Sequence, residues 1–206
     1  MANDKIDEMF SSIYIVNEDD LKYEIEETSK TFSTYMQEEW CILKKILFVC
    51  ECNICRSPMA EFVFKNMLRG RTDIWIASAG ISGERLGSPI YPQAQECLEK
   101  HGIPIEERQA VKFHFKDYFE YDYIIGMDEW NKYNLKWLCD MDPQHKIFKL
   151  LEFSNRSTSG MPRDDAIIYT NILDPHMTRD FERAYNEICE GCEGLKRFIA
   201  DKTEGA

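Results

Sequence analysis

The spacing of apolar positions changes several times along this chain, and each change marks an element. Ile46-Leu47-Phe48-Val49 is an unbroken apolar run ending at Cys50. That is the pattern of a strand buried on both faces. Further strands are predicted at 74–77 (Ile-Trp-Ile-Ala), 122–126 (Asp-Tyr-Ile-Ile-Gly) and 147–151. Between and after them, apolar residues recur at helical spacing over 57–69, 89–101, about 128–138 and 178–200. The β-α-β-α alternation predicts an α/β domain with a parallel sheet and helices on both faces. Residues 152–173, rich in Ser, Arg, Asp and Gly, read as a long loop. Ahead of the first strand, Leu21, Ile25, Phe32, Met36 and Trp40 fall mostly four apart. They predict a helix over Asn17–Trp40, with Asn17 as its N-cap.

Charge divides the chain at the same place. The net charge is −12, and the first 40 residues hold eleven acids and three bases. Residues 1–44 therefore read as an acidic, partly helical extension, and 45–206 as the main domain. The acidic balance argues against general binding to nucleic acid or anionic membranes. No apolar run reaches the roughly 18 residues of a membrane span. The acidic N-terminus does not suit a signal or transit peptide. Eight cysteines without an export signal suggest reduced thiols and a cytoplasmic protein. Two Cys-x-x-Cys pairs, Cys52/Cys55 and Cys189/Cys192, could in principle share a zinc ion. The first pair falls inside a candidate anion loop and the second in a helical pattern, so no metal site is expected.

The candidate chemistry lies at 50–58, Cys-Glu-Cys-Asn-Ile-Cys-Arg-Ser-Pro. Cys50 and Arg56 are a nucleophile and a guanidinium separated by five residues, between a strand and a helix. A short loop there can wrap one tetrahedral oxyanion with its backbone N–H groups and the helix N-terminus. Arg56 adds paired, charge-assisted hydrogen bonds. The same positive field favours a thiolate, so Cys50 is expected to be a low-pKa nucleophile. Ser57 and Pro58 suit the N-cap and first turn of the following helix. Hydrolysis of a phosphate ester also needs an acid for the leaving group, later a base towards water. Asp174-Pro175, after the long loop, is the candidate.

Phe48-Val49-Cys50, Asn53-Ile54-Cys55-Arg56-Ser57-Pro58 and Ala60-Glu61 resemble the signature of low-molecular-weight protein tyrosine phosphatases. So do Ser78-Ala79-Gly80, Lys100-His101-Gly102-Ile103, Tyr123-Ile124-Ile125 with Met127-Asp128 and Asn131, and Asp174-Pro175. The likeness spans about residues 45–200. It implies a four-stranded parallel sheet of the flavodoxin-like kind. It implies hydrolysis of phosphotyrosine or another aryl phosphate through a phosphocysteine on Cys50, with no cofactor. Asp174 would be acid then base. Arg56 and the loop residues Glu51, Cys52, Asn53, Ile54, Cys55 and Ser57 would hold the phosphate. The resemblance gives Ser78 and His101, with Ser57, the role of supporting a strained Asn53. It gives Asp128 the role of steadying the site, alongside its reading as a helix N-terminal acid. It also implies that Cys55 can trap oxidised Cys50 as a disulfide.

The chain departs from that pattern in places. Cys52 stands where the family usually has glycine, and Glu51 where a small or apolar residue is usual. Glu84 occupies the position of an aromatic residue lining the phenyl slot. His176 and Met177 replace aromatic residues after Asp-Pro. The wall therefore reads as poor in aromatic stacking, and Glu51 and Glu84 as repelling acidic peptides. Ile54 argues against the related arginine phosphatases, which tend to carry threonine there. A reading of a different class is a phosphate-binding module that signals through the acidic extension and barely turns over. Hydrolysis of p-nitrophenyl phosphate separates the two.

Overall fold

A computed structural model describes residues 44–204, with side chains to residue 201. The helix expected over Asn17–Trp40 lies outside the described residues. Four strands form one sheet: β1 (Lys44–Cys50), β2 (Ile74–Gly80), β3 (Tyr123–Gly126) and β4 (Ile147–Lys149). Their order is β2-β1-β3-β4 and every pairing is parallel. β1, one of the two inner strands, carries the longest unbroken apolar run, as burial on both faces requires. Its side chains alternate. Ile46, Phe48 and Cys50 enter one core cluster, and Leu47 and Val49 the other. Cys50 closes the strand opposite Gly80.

The first face is covered by α1 (Arg56–Met67), α2 (Pro92–Lys100) and the long α7 (Phe181–Glu204). The second is covered by α3 (Asp117–Glu120) and α4 (Glu129–Leu138), through Tyr118 and Leu135. In α7, Ala184, Ile188, Cys192, Leu195 and Ile199 are buried at spacings of three and four. Gly191 and Gly194 interrupt this stripe, at about 1 kcal/mol each in helix propensity. They let the helix lie against Leu150 and Phe153: a Cβ on Gly194 would fall 1.9 Å from the Phe153 carbonyl oxygen. Burial of Ile188, Leu195 and Ile199, at about 1.5–3 kcal/mol apiece, outweighs that cost. Cys192 is a core residue here, fully buried, which lifts its thiol pKa well up.

The segment expected as loop 152–173 holds more structure than its composition suggests. A 3₁₀ turn, Leu150–Phe153, ends the last strand early, and α5 (Arg163–Tyr169) follows. No residue of α5 is buried, so it has no apolar period to betray it. Beyond it the chain turns inward. Ile172 is fully buried and donates its N–H to the Met127 carbonyl at 2.8 Å. That anchor delivers Asp174 to the carboxyl end of the sheet, as N-cap of α6 (Pro175–Thr178). The helix expected over 178–200 is α7, which starts at Phe181, after the left-handed Arg179 that ends α6. Among the described residues, no helix is long and apolar enough to cross a membrane.

Candidate active site

Parallel sheets collect functional groups at the carboxyl ends of their strands, and residues 51–55 leave the end of β1. Asn53 sits in the left-handed region, at φ 57°. A non-glycine residue tolerates that conformation only when its surroundings hold it there. Here they do. Its Nδ2 donates to Ser57 Oγ and Ser78 Oγ, both at 2.9 Å. Its Oδ1 accepts from the Val111 N–H at 3.0 Å and from Arg108 Nη2 at 2.5 Å. Arg108 Nη1 also reaches the Asn53 carbonyl at 3.1 Å. Ser78 passes its own proton to Glu61 Oε2 at 2.5 Å. Gly80 leaves room for the loop: a Cβ there would meet the Cys52 carbonyl carbon at 2.9 Å and the Asn53 nitrogen at 3.0 Å. Cys52 therefore takes the place expected of glycine without a positive φ, because the left-handed residue is Asn53.

Cys50 Sγ lies 3.0 Å from Ser57 Oγ. The serine has one proton and two acceptors, that sulfur and the Ala79 carbonyl at 3.2 Å. Negative charge on sulfur would draw the proton to Cys50. Helix α1 begins at Arg56 with Cys55 as its N-cap, two residues earlier than the Ser57 cap expected from sequence. The Ser57 hydroxyl is thus turned to the nucleophile rather than to the helix end. Burial pushes the Cys55 thiol up to about 12, with charge on Cys50 adding to it. Burial first, then Cys50, also raises Cys52. Both neighbours of the nucleophile are held as neutral thiols.

Arg56 is only 3% exposed. Its Nη1 donates to Asp128 Oδ2 at 2.5 Å and to the Ile172 carbonyl at 3.1 Å, and its Nη2 to Asp174 Oδ2 at 3.0 Å. Burial would lower its pKa, but Cys50, Asp128 and Asp174 more than reverse that, so the guanidinium stays charged. Asp128 performs both expected tasks. One oxygen holds Arg56 and the other caps α4 by accepting the Asn131 N–H at 2.7 Å. Asp174 caps α6 by accepting the His176 N–H at 2.9 Å, and about a third of its side chain remains exposed.

These groups border a cleft of about 410 Å³. Cys50, Glu51, Cys52, Ile54, Cys55 and Arg56 form its floor, and Glu84, Tyr91, Asp174, His176 and Met177 rise around it. The expected wall residues are therefore present, but the wall is not without an aromatic ring. Tyr91 supplies one. Its ring stacks on Phe181 at 5.9 Å and meets His176 edge-on at 5.2 Å. Its backbone N–H donates to the Ile54 carbonyl at 2.8 Å, tying wall to floor. Tyr91 is the N-cap position of α2 and caps nothing with its side chain. A helix start that forgoes Ser, Thr, Asp or Asn gives up about 1 kcal/mol, the one sequence signal that could have singled it out.

His101 is the correction among the expected site residues. It ends α2 and turns away from the loop. Its Nε2 pairs with Glu182 Oε2 at 2.8 Å, and its ring stacks on Tyr185 at 3.9 Å. The support of Asn53 falls instead to Arg108, whose guanidinium reaches farther than an imidazole and is anchored near Glu61. Burial lowers the Arg108 pKa and Glu61 counters it.

Comparison with known proteins agrees with this geometry. The family model for low molecular weight phosphotyrosine protein phosphatase matches residues 45–204. The chain is 36% identical over 156 residues to the low molecular weight protein-tyrosine-phosphatase PtpA of Staphylococcus aureus strain RF122, covering 75% of this chain and 92% of that protein. Among solved structures, YfkJ from Bacillus subtilis superposes with a TM-score of 0.69 at 33% identity, over 78% of this chain and 96% of that one. A Drosophila arginine phosphatase gives 0.65 at 28% identity, over 75% and 97%. By the family model over residues 45–204 and by these relatives, the chain, with its Cys50 loop, Arg56 and carboxylates arranged around one cleft, belongs to the low-molecular-weight protein tyrosine phosphatase family.

Proposed function

We propose that residues 45–206 hydrolyse phosphotyrosine or small aryl phosphates through a phosphocysteine on Cys50. One observation carries this reading: Cys50 Sγ, the Arg56 guanidinium and the Asp174 carboxylate border one cleft, with Asn53 locked in a left-handed turn between them. The phosphoryl group sits in the loop Glu51–Ser57, held by backbone N–H groups and Arg56. Its oxygens compete with Asp174 for the Nη2 edge of Arg56. A carboxyl group released from that edge is free to protonate the leaving oxygen as Cys50 sulfur bonds to phosphorus. The phenol departs with that proton, and the P–O bond breaks. Asp174, now ionised, takes a proton from water as it attacks phosphorus. The P–S bond breaks, returning Cys50 and inorganic phosphate. Ser57 steadies the sulfur when it carries charge, in both halves of the cycle. Asp128 keeps Arg56 in the plane the phosphate needs.

Tyr91, with Ile54, Ile90 and Met177, offers a slot for a phenyl ring. The relatives named as tyrosine phosphatases support the same substrate class. The eight cysteines support a cytoplasmic setting. We read residues 1–44 as an acidic extension outside the reaction. Turnover of p-nitrophenyl phosphate tests the proposal. Wild type is expected to hydrolyse it, and Cys50→Ser to lose at least about 10³-fold. Residual activity within tenfold of wild type would rule out the covalent route. An inactive wild type that still binds phosphate would favour the signalling-module reading.

A further inference from the structure

We propose that Glu51 and Glu84 make this cleft select phosphotyrosines flanked by lysine or arginine. The proposal rests on the phosphatase reading above and adds a preference to it. Glu51 is half-buried in the floor of the cleft, directly after the nucleophile. Its Oε2 is buried and has no hydrogen-bond partner among the described residues. A buried carboxylate oxygen left without a donor costs free energy, roughly that of a lost charged hydrogen bond. Nothing in the reaction described above uses it. Glu84 stands exposed on the rim of the same cleft, close enough for its charge to act on Glu51.

The charge around these two acids is one-sided. Arg56 offsets part of the charge on Glu51, but its Nη atoms are taken by Asp128, the Ile172 carbonyl and Asp174, and it hydrogen-bonds to neither Glu51 nor Glu84. Arg85 is the remaining guanidinium in the lining, and it is exposed. Burial first, and then the charge of Asp128, raise the Glu51 pKa. The position thus favours an added positive charge, of which a proton is the smallest. An ammonium or guanidinium beside the phosphorylated tyrosine would supply the missing positive charge, facing Glu84 on the rim and the half-buried Glu51 below it. An acidic flank would meet two carboxylates instead. The same cleft provides the ring slot at Tyr91, so ring and cation can be held together.

The test uses Cys50→Ser full-length protein, which binds without turning over. Affinities are measured for two phosphotyrosine peptides of equal length, one flanked by lysines and the other by glutamates. The lysine peptide is expected to bind between about three- and thirtyfold more tightly, the range for half-buried and rim ion pairs. Adding Glu51→Gln and Glu84→Gln should bring the ratio to within twofold of one. Glu84→Gln alone, at an exposed position, should lower it partway, and decides the matter if the double variant is unstable. A ratio near one in the parent protein, a preference for glutamates, or a ratio unmoved by these changes overturns the proposal. Turnover of p-nitrophenyl phosphate by wild type is measured beside it. Loss of that turnover with the peptide ratio intact would indict the phosphatase reading and leave the charge preference standing.

Discussion

The floor of the cleft and its wall are built by opposite means. In the floor, Asn53, Ser57, Ser78 and Arg56 are buried and their side chains are held by hydrogen bonds, with Glu51 Oε2 the unpartnered exception among the described residues. In the wall, Glu84, His176 and Met177 are exposed, and Met177 is 81% so. The Tyr91 side chain is held by ring contacts and by Arg179, whose Nη1 stands 3.4 Å from its hydroxyl. Preorganised charge must be rigid to lower a barrier. A surface that only sorts substrates can remain adaptable. Changes in the floor should therefore cost rate steeply, and changes in the wall should alter affinity gently.

Asp174→Ala gives the largest contrast, since it removes the proposed acid, which stands where floor and wall meet. Phenyl phosphate hydrolysis is expected to fall by about 10²- to 10⁴-fold, the usual worth of a general acid. p-Nitrophenyl phosphate should suffer much less, because its leaving group needs little protonation. Equal losses on both substrates would remove Asp174 from the acid role.

Arg108→Ala probes the floor at a residue that touches no substrate. It leaves the Asn53 carboxamide and carbonyl short of two donors, at about 1–3 kcal/mol. The expected result is a kcat lowered about tenfold or more, with KM for p-nitrophenyl phosphate changed less. Arg108→Lys should restore part of the rate, since an ammonium reaches one acceptor but cannot fork to both. A full rate in Arg108→Ala would show that Ser57, Ser78 and Val111 suffice to hold Asn53.

Tyr91→Ala should produce the smallest change. Loss of one ring contact is worth about 0.5–1.5 kcal/mol. KM for aryl phosphates should rise between about twofold and tenfold, with kcat nearly kept, and Tyr91→Phe should behave as wild type. A collapse of kcat would mean that the Tyr91 ring, packed on Phe181 and His176, positions the loop more than it grips the substrate ring.

The same division explains what the sequence could reveal. The sheet and the floor were legible because their residues are contiguous. An apolar strand, five loop residues and a helix start follow one another, and local geometry dictates the rest. Asp128 was readable as a helix N-terminal acid from its residues and as a site-steadying carboxylate from the resemblance; its contact with Arg56 is what the structure adds. Arg108 was not readable: it lies in Glu-Glu-Arg-Gln, among residues that resemble any solvated loop. His101 was a candidate through the resemblance alone, since by its own position it reads as a surface histidine at a helix end, and there it pairs with Glu182. Tyr91 was masked by its position at a helix start, where a side chain is expected to cap rather than to stack. Helix α5 was hidden because none of its residues is buried.

The covalent step at Cys50 is the central claim, and trapping tests it most directly. Asp174→Ala protein can still accept the phosphoryl group of p-nitrophenyl phosphate but lacks the base that activates water. Acid quenching followed by peptide mass mapping should find one phosphoryl group on the peptide that carries Cys50, and none when Cys50 is serine. Continued turnover with no phosphoryl group on Cys50, or with the group on another residue, would contradict the account.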